Sequence, residues 1–336
     1  MVRTSKEARL AALRIDSAIA EYKEKTSKHK IDYKTNEEQF RTRLKKCFEE
    51  LSPLVEEAVN SIKIRETENR GAKRILSLKQ EVIILLLQRL FQKSNRSMAL
   101  MLVVFTWLSD VDISYKTIKR KYSDSLVRLA IYNLHILILK KKQITNIAIC
   151  GDWTGYSVHI SEHYGTISQK RKEKSKENTG AQKFVYSFAI MDLNSRLYVA
   201  YGFSLKSEKE AFLEAIDMLK ELGFQVTSCR LDKYFSCEVY AEMIENNFGK
   251  VILYLIPKTN IAHLGLGIWK DNVLRFVDDV FEFLKEYFKR NQSESGFSED
   301  KKRTGWKLLQ KIPVRIDTAL CLNNLWHNLY WFGAKV

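Results

Sequence analysis

The spacing of apolar residues changes period near residue 146, and that change limits the chain to a helical part joined to a part built on extended strands. Before it, Phe48, Leu51, Leu54, Val55 and Val59 recur every three to four positions, the spacing of a helix with one buried face. Residues 76–91 read as a second helix with an apolar centre, 97–108 as a third, and 125–139 as another. Polar residues 66–74, with Gly71, read as a linker. After residue 146 the apolar runs are short and bounded by turn formers, as strands are.

Those runs are 147–150, 183–191, 196–204, 226–231 and 251–256. The first stops at Gly151-Asp152-Trp153-Thr154-Gly155, and 156–161 either continues it or pairs back. Asn194-Ser195 marks a hairpin between the next two. Ser207 and Glu210 form a capping box for a helix ending near Gly223, a second helix covers 236–246, and Pro257 stops the last strand. The order is β, β, β, α, β, α, β, α, so three antiparallel strands lead into crossover units that place later strands parallel. It matches an α/β fold of the RNase H-like kind, a mixed sheet flanked by helices, preceded by an all-α region. The expected organisation is a helical region over 1–70, a helical DNA-binding region over 71–145 and the α/β domain over 146–336.

The 336 residues carry a net charge of +16. Residues 1–145 hold 30 Lys and Arg against 17 Asp and Glu, and residues 146–336 hold 26 against 23. A basic excess in one half points to a polyanion held there, because each cation placed on a phosphate releases condensed counterions. The turn 109–112 separates the helix over 97–108 from Ser114-Tyr-Lys116-Thr-Ile-Lys119-Arg120-Lys121. Ser114 can cap that basic helix. Helix, short turn and basic helix form a helix-turn-helix pattern over about 97–122, with Lys116, Lys119 and Arg120 as its DNA contacts and double-stranded DNA as the partner.

The five cysteines are odd in number and none are spaced as C-x-x-C, which reads as reduced thiols with neither zinc ribbon nor disulfide framework. Residues 1–15 lack an apolar signal region, and the longest apolar runs fall far short of the ~20 residues that span a bilayer. The expectation is a cytoplasmic protein with no membrane association, at the nucleoid of a prokaryote.

Asp152 follows the first strand and Asp232 the fourth. In a sheet of this order those strands are neighbours, so the two carboxylates emerge together. Paired carboxylates repel unless a cation lies between them, and hard divalent ions favour oxygen ligands. Two such ions can activate an attacking oxygen and stabilise a leaving one at a phosphodiester. A third carboxylate is needed. Tyr287, Arg290, Glu294 and Lys301, taken on a single helix at ~100° per residue, fall within roughly 60° of one another. A tyrosine, two cations and a carboxylate on one stripe suit metal and phosphate better than a core. Glu299, the rival carboxylate, lies off that stripe.

The chain resembles the DDE-type insertion-sequence transposases, in the subgroup with a Y-(2)-R-(3)-E-(6)-K signature. Tyr287, Arg290, Glu294 and Lys301 match its four positions, Asp152 in Gly-Asp-Trp-Thr-Gly matches the first acidic residue, and Asp232 in Arg-Leu-Asp-Lys-Tyr-Phe the second. The resemblance covers about 146–332. It implies that Asp152, Asp232 and Glu294 bind two Mg²⁺ or Mn²⁺ ions. Water would free a 3′-OH at each inverted-repeat end, and that 3′-OH would attack target DNA. It further implies that Arg290 and Lys301 hold phosphates, that Tyr287 stacks on or bonds to DNA, and that a homodimer forms on DNA.

Other signals are weaker. His159-Ile-Ser-Glu162-His163 has the H-x-x-E-H wording of some zinc proteases, but zinc binding there needs a helix and the segment reads as extended. Gly265-Leu-Gly267 lacks the Lys and Ser or Thr of a phosphate loop. Trp326, Trp331 and Phe332 read as core. Residues 169–182 read as a mobile, Lys-rich loop. The alternatives are an RNase H-like nuclease or junction resolvase without strand transfer, and a non-catalytic transposase-derived DNA-binding protein. Inverted repeats flanking the gene would favour a transposase over a nuclease.

Overall fold

The first strand is longer than its apolar run. In the computed structural model, which describes residues 4–26, 33–63, 74–104, 113–158, 184–258, 261 and 263–333, β1 (Asn146–Val158) continues through Asp152. This corrects the expected stop at Gly151. A Cβ at Gly151 would lie 2.8 Å from Phe188 Cε1 and 2.9 Å from Leu231 Cδ2. The glycine therefore lets two side chains approach the strand and does not end it.

β1 pairs antiparallel with β2 (Phe184–Asp192), and β2 pairs antiparallel with β3 (Tyr198–Ser204). On the other side β1 runs parallel to β4 (Gln225–Arg230), and β4 parallel to β5 (Ile252–Tyr254). The order is β3-β2-β1-β4-β5, with a short β6 (Lys307–Leu308) pairing parallel to the end of β1. Three antiparallel strands followed by parallel crossovers, with β1 and β4 adjacent, agree with the sequence reading.

Among the described residues seven helices precede the sheet: α1 (Ser5–Leu13), α2 (Ile15–Lys25), α3 (Tyr33–Asn60), α4 (Leu78–Leu90), α5 (Asn95–Val104), α6 (Tyr115–Lys121) and α7 (Ser125–Lys141). Ser114 caps α6 through the Thr117 N–H, and Asp124 caps α7 through the Leu126 and Val127 N–H groups. The turn expected at 109–112 and most of the linker at 66–74 lie outside the described residues, as do the Lys-rich 169–182 and the His159–His163 wording. Among the described residues no helix is long and apolar enough to cross a membrane.

After β3 come α8 (Glu208–Leu222), α9 (Glu238–Phe248), α10 (Gly267–Asp278), α11 (Val280–Tyr287), α12 (Asn291–Thr304) and α13 (Pro313–Phe332). α8 lies so close to β3 that a Cβ on Gly202 would fall 2.1 Å from the Ala211 carbonyl oxygen. α13 is buried among the front helices. Trp326 Nε1 donates to the Leu86 carbonyl at 2.8 Å, and Arg89 Nε donates to Asn323 Oδ1 at 2.5 Å. One continuous apolar cluster runs from α1 and α3 through α4 and α7 into the sheet and α13. Trp326 and Trp331 belong to it, as their sequence reading held.

Candidate active site

Cys150 of β1 pairs with Arg230 of β4. Two residues further along each chain stand Asp152 and Asp232, so their placement follows from parallel register. Asp152 is still within β1, and Asp232 opens the 3-10 turn Lys233–Phe235. Strand alternation puts Asp152 on the face of β1 that carries Thr154 and Tyr156.

The third acidic residue comes from α12, and a guanidinium joins all three. Arg290 Nη1 lies 2.8 Å from Glu294 Oε1 and 3.9 Å from Asp152 Oδ2, while Nη2 lies 3.5 Å from Asp232 Oδ1. Asp152, Asp232 and Glu294, separated by up to 142 positions in the chain, therefore surround one side chain. Glu299, by contrast, faces Arg303 at 3.3 Å.

The helix that carries the stripe is not continuous. α11 ends at Tyr287, Phe288–Arg290 forms a 3-10 turn, and α12 starts at Asn291. This corrects the single helix assumed for the stripe, because a 3-10 turn advances ~120° per residue instead of ~100°. Phe288 is held in that turn by stacking on Tyr22 of α2, with ring centroids 5.2 Å apart.

Tyr287 is also corrected. Its side chain is 3% exposed and packs with Phe276, Phe283 and Leu284, so its ring is not open to stacking on DNA. The Arg290 guanidinium lies over that ring at 5.3 Å. Tyr287 thus supports Arg290 from beneath. Lys301 Nζ lies 4.6 Å from the Trp306 ring centroid and 5.3 Å from that of Tyr156, and no carboxylate pairs with it among the described residues. Lys116, Lys119 and Arg120 are exposed on α6, well outside the acidic cluster in the chain. Lys121 of the same helix is tied inward to Glu81 at 2.5 Å.

Anionic charge exceeds cationic charge at the cluster. Burial pushes the Asp152 carboxyl up to about 6; the Trp153 N–H and Arg290 oppose this, and Glu294 and Asp232 add to it. Glu208, the first residue of α8, is pushed up to about 7 by burial and by the fields of Asp152 and Asp232. Its Oε1 is buried without a hydrogen-bond partner. The sequence reading missed this fourth carboxylate. The available signal was its position, the opening of the helix that follows β3 at the end of the sheet where Asp152 lies.

Among the described residues no three His, Cys, Asp or Glu side chains converge where a metal ion would sit, because the guanidinium fills the centre. The donor chemistry nonetheless suits a hard cation. Three carboxylates share one guanidinium, and a fourth, Glu208, lies in the field of Asp152 and Asp232.

No protein-family model and no solved structure matches the chain. The chain is 39% identical over 312 residues to the probable transposase for insertion sequence element ISA1214 of Archaeoglobus fulgidus, covering 93% of this chain and 92% of that one. A mixed sheet flanked by helices, an acidic cluster beside two neighbouring strands and this extent of identity lead to one family: the chain belongs to the insertion-sequence transposases.

Proposed function

We propose that the chain is a DDE-type transposase with an RNase H-like catalytic domain. In this reading it binds the ends of its element, hydrolyses a phosphodiester at each and joins the freed 3′-OH to target DNA. The observation that carries it is the meeting of Asp152, Asp232 and Glu294, from three separate elements, around Arg290. Three carboxylates have little reason to meet in a purely structural role, since like charges brought together cost stability.

Asp152, Asp232 and Glu294 would hold two Mg²⁺ or Mn²⁺ ions. Bound there, such ions supply charge neutralisation and polarise oxygen at a phosphodiester. Asp152 lies within β1 and Asp232 just past the end of β4, so the pairing of Cys150 with Arg230 brings the two backbones near one another before any ligand arrives. Glu294 arrives on a helix and closes the third side. Arg290 neutralises the cluster in the resting protein and is in reach of a phosphate laid across it, and the Tyr287 ring limits how far its guanidinium can swing. Lys301, without a carboxylate partner among the described residues, can take a neighbouring phosphate along the same helix. Lys116, Lys119 and Arg120 hold the duplex at a distance from the cut, in a helix-turn-helix. Two copies of the chain act together on paired ends.

Asp232→Asn provides the test. It keeps the shape and removes the charge, so Mg²⁺-dependent nicking of labelled element-end DNA should fall by orders of magnitude. Gel-shift affinity should stay within a few-fold of wild type. Full nicking by the variant would remove Asp232 from the site, and loss of binding as well would assign it to the fold.

A further inference from the structure

α12, which carries Glu294, has almost no apolar surface with which to hold its place. In Asn291-Gln-Ser-Glu-Ser-Gly-Phe-Ser-Glu-Asp-Lys-Lys-Arg-Thr304 the sole large apolar residue is Phe297. Apolar burial is non-directional, and one phenylalanine leaves a helix free to roll and slide. Something directional must set its register on the sheet.

We propose that Asp300 does this: it is a positioning residue that fixes where Glu294 and Arg290 stand, although it lies about 120° round the helix from Glu294. The inference rests on reading those two residues as part of the active site. Asp300 is 2% exposed. Its Oδ2 accepts from the Tyr198 hydroxyl of β3 at 2.8 Å. Its Oδ1 accepts from Arg303 Nη2 at 3.1 Å and lies 3.0 Å from His327 Nδ1 of α13. His327 is fixed in turn. Its Nε2 lies 2.8 Å from the Arg196 carbonyl. The imidazole also stacks on the Tyr198 ring with centroids 3.8 Å apart. The Asp300 carboxylate therefore joins α12 to the sheet and to the buried helix α13 at once.

One turn earlier, Gly296 lets the helix settle onto the same group. A Cβ there would lie 2.8 Å from Tyr198 Oη, 2.9 Å from Met191 Cε and 3.2 Å from His327 Cε1. Gly296 and Asp300 thus contact Tyr198 and His327 from one face, by close approach and by hydrogen bond. Glu294 projects from the other side of the helix towards Asp152 and Asp232. A shift of ~1 Å in a catalytic group can cost on the order of a hundredfold in rate, so the directional contacts on the buried face decide whether the exposed face is competent.

The test uses full-length protein with Asp300→Asn, and Gly296→Ala as an independent disturbance of the same contact. Both are compared with wild type in three measurements. In hydrogen exchange, amides of 291–304 should exchange at least tenfold faster while those of β1 and β2 keep their protection. Nicking at saturating DNA should fall at least tenfold. Gel-shift affinity should stay within twofold, a split that general loss of structure would not produce. If one variant does not fold, the other decides. Nicking within twofold of wild type in a folded variant overturns the proposal, as does unchanged exchange over 291–304. A wild-type protein that never nicks DNA would refute the active-site reading; the hold of Asp300 on the helix is then judged on exchange alone.

Discussion

The Arg290 guanidinium stands 2.8 Å from Glu294, four residues away on the same helical stretch, and its other nitrogen reaches Asp232 across to the end of β4 at 3.5 Å. One side chain therefore closes the gap between the helix and the sheet edge, and several consequences of its position can be measured.

Arg290→Ala should lower the melting temperature in chelator. It removes the cation shared by three carboxylates, and a charge-assisted bond of this kind contributes about 2 kcal/mol. Millimolar Mn²⁺ should restore part of the loss, because an ion bound only to the folded state stabilises it by mass action. A melting curve equally low with and without Mn²⁺ would count against a cation site among these acids.

Asp152→Asn should stabilise the metal-free protein at neutral pH. Burial holds the folded carboxyl up at about 6, above the value of ~3.9 for an unfolded chain. Folding then favours the protonated form. The penalty is absent below pH ~4, grows as pH rises between the two values, and is complete above about 6. The variant should gain about 1–2 kcal/mol at pH 7.5 and little or nothing at pH 4. Urea titrations in chelator at the two pH values measure this, and an equal effect at both would show that burial does not govern the group.

Gly202→Ala should be among the most damaging single-methyl changes in the sheet. Its Cβ would fall 2.1 Å from the Ala211 carbonyl oxygen and 2.6 Å from the Ala215 amide nitrogen, both backbone atoms of α8. Overpacking against atoms that cannot rotate away costs about 3 kcal/mol. A urea midpoint close to that of wild type would mean that α8 can lift from β3 without loss.

Lys116→Ala, Lys119→Ala and Arg120→Ala together should weaken DNA binding by the full-length chain without changing its melting temperature, since all three are exposed. If each meets one phosphate, the slope of log affinity against log salt should become shallower by roughly 2.7. An unchanged slope would place the duplex elsewhere. The full chain is the proper material, because Trp326 and Asn323 of α13 bond directly into α4.

The sequence by itself determined the elements and their order. The period of the apolar residues separates helices from strands, and turn formers such as Gly223, whose φ is +68°, end them locally. Strand order then made β1 and β4 neighbours, which brought Asp152 and Asp232 to one edge. Spacing singled out Glu294 over Glu299; Glu294 lies against Arg290 and Glu299 against Arg303. Local pattern misled where a residue's reason lies far away in the chain. Gly151 reads as a strand end, yet it makes room for Phe188 and Leu231. Gly296 is a poor helix former by its residue type, and it admits Tyr198 and His327. Tyr287 matched a signature, but only packing against Phe276 and Phe283 shows its ring to be buried. Glu208 had no sequence mark beyond its place at a helix start. Only the tertiary structure decided these, because short-range pattern sets backbone conformation within a few residues. Burial, the field of neighbouring charges and the partners of Asp300 depend on residues tens to hundreds of positions away.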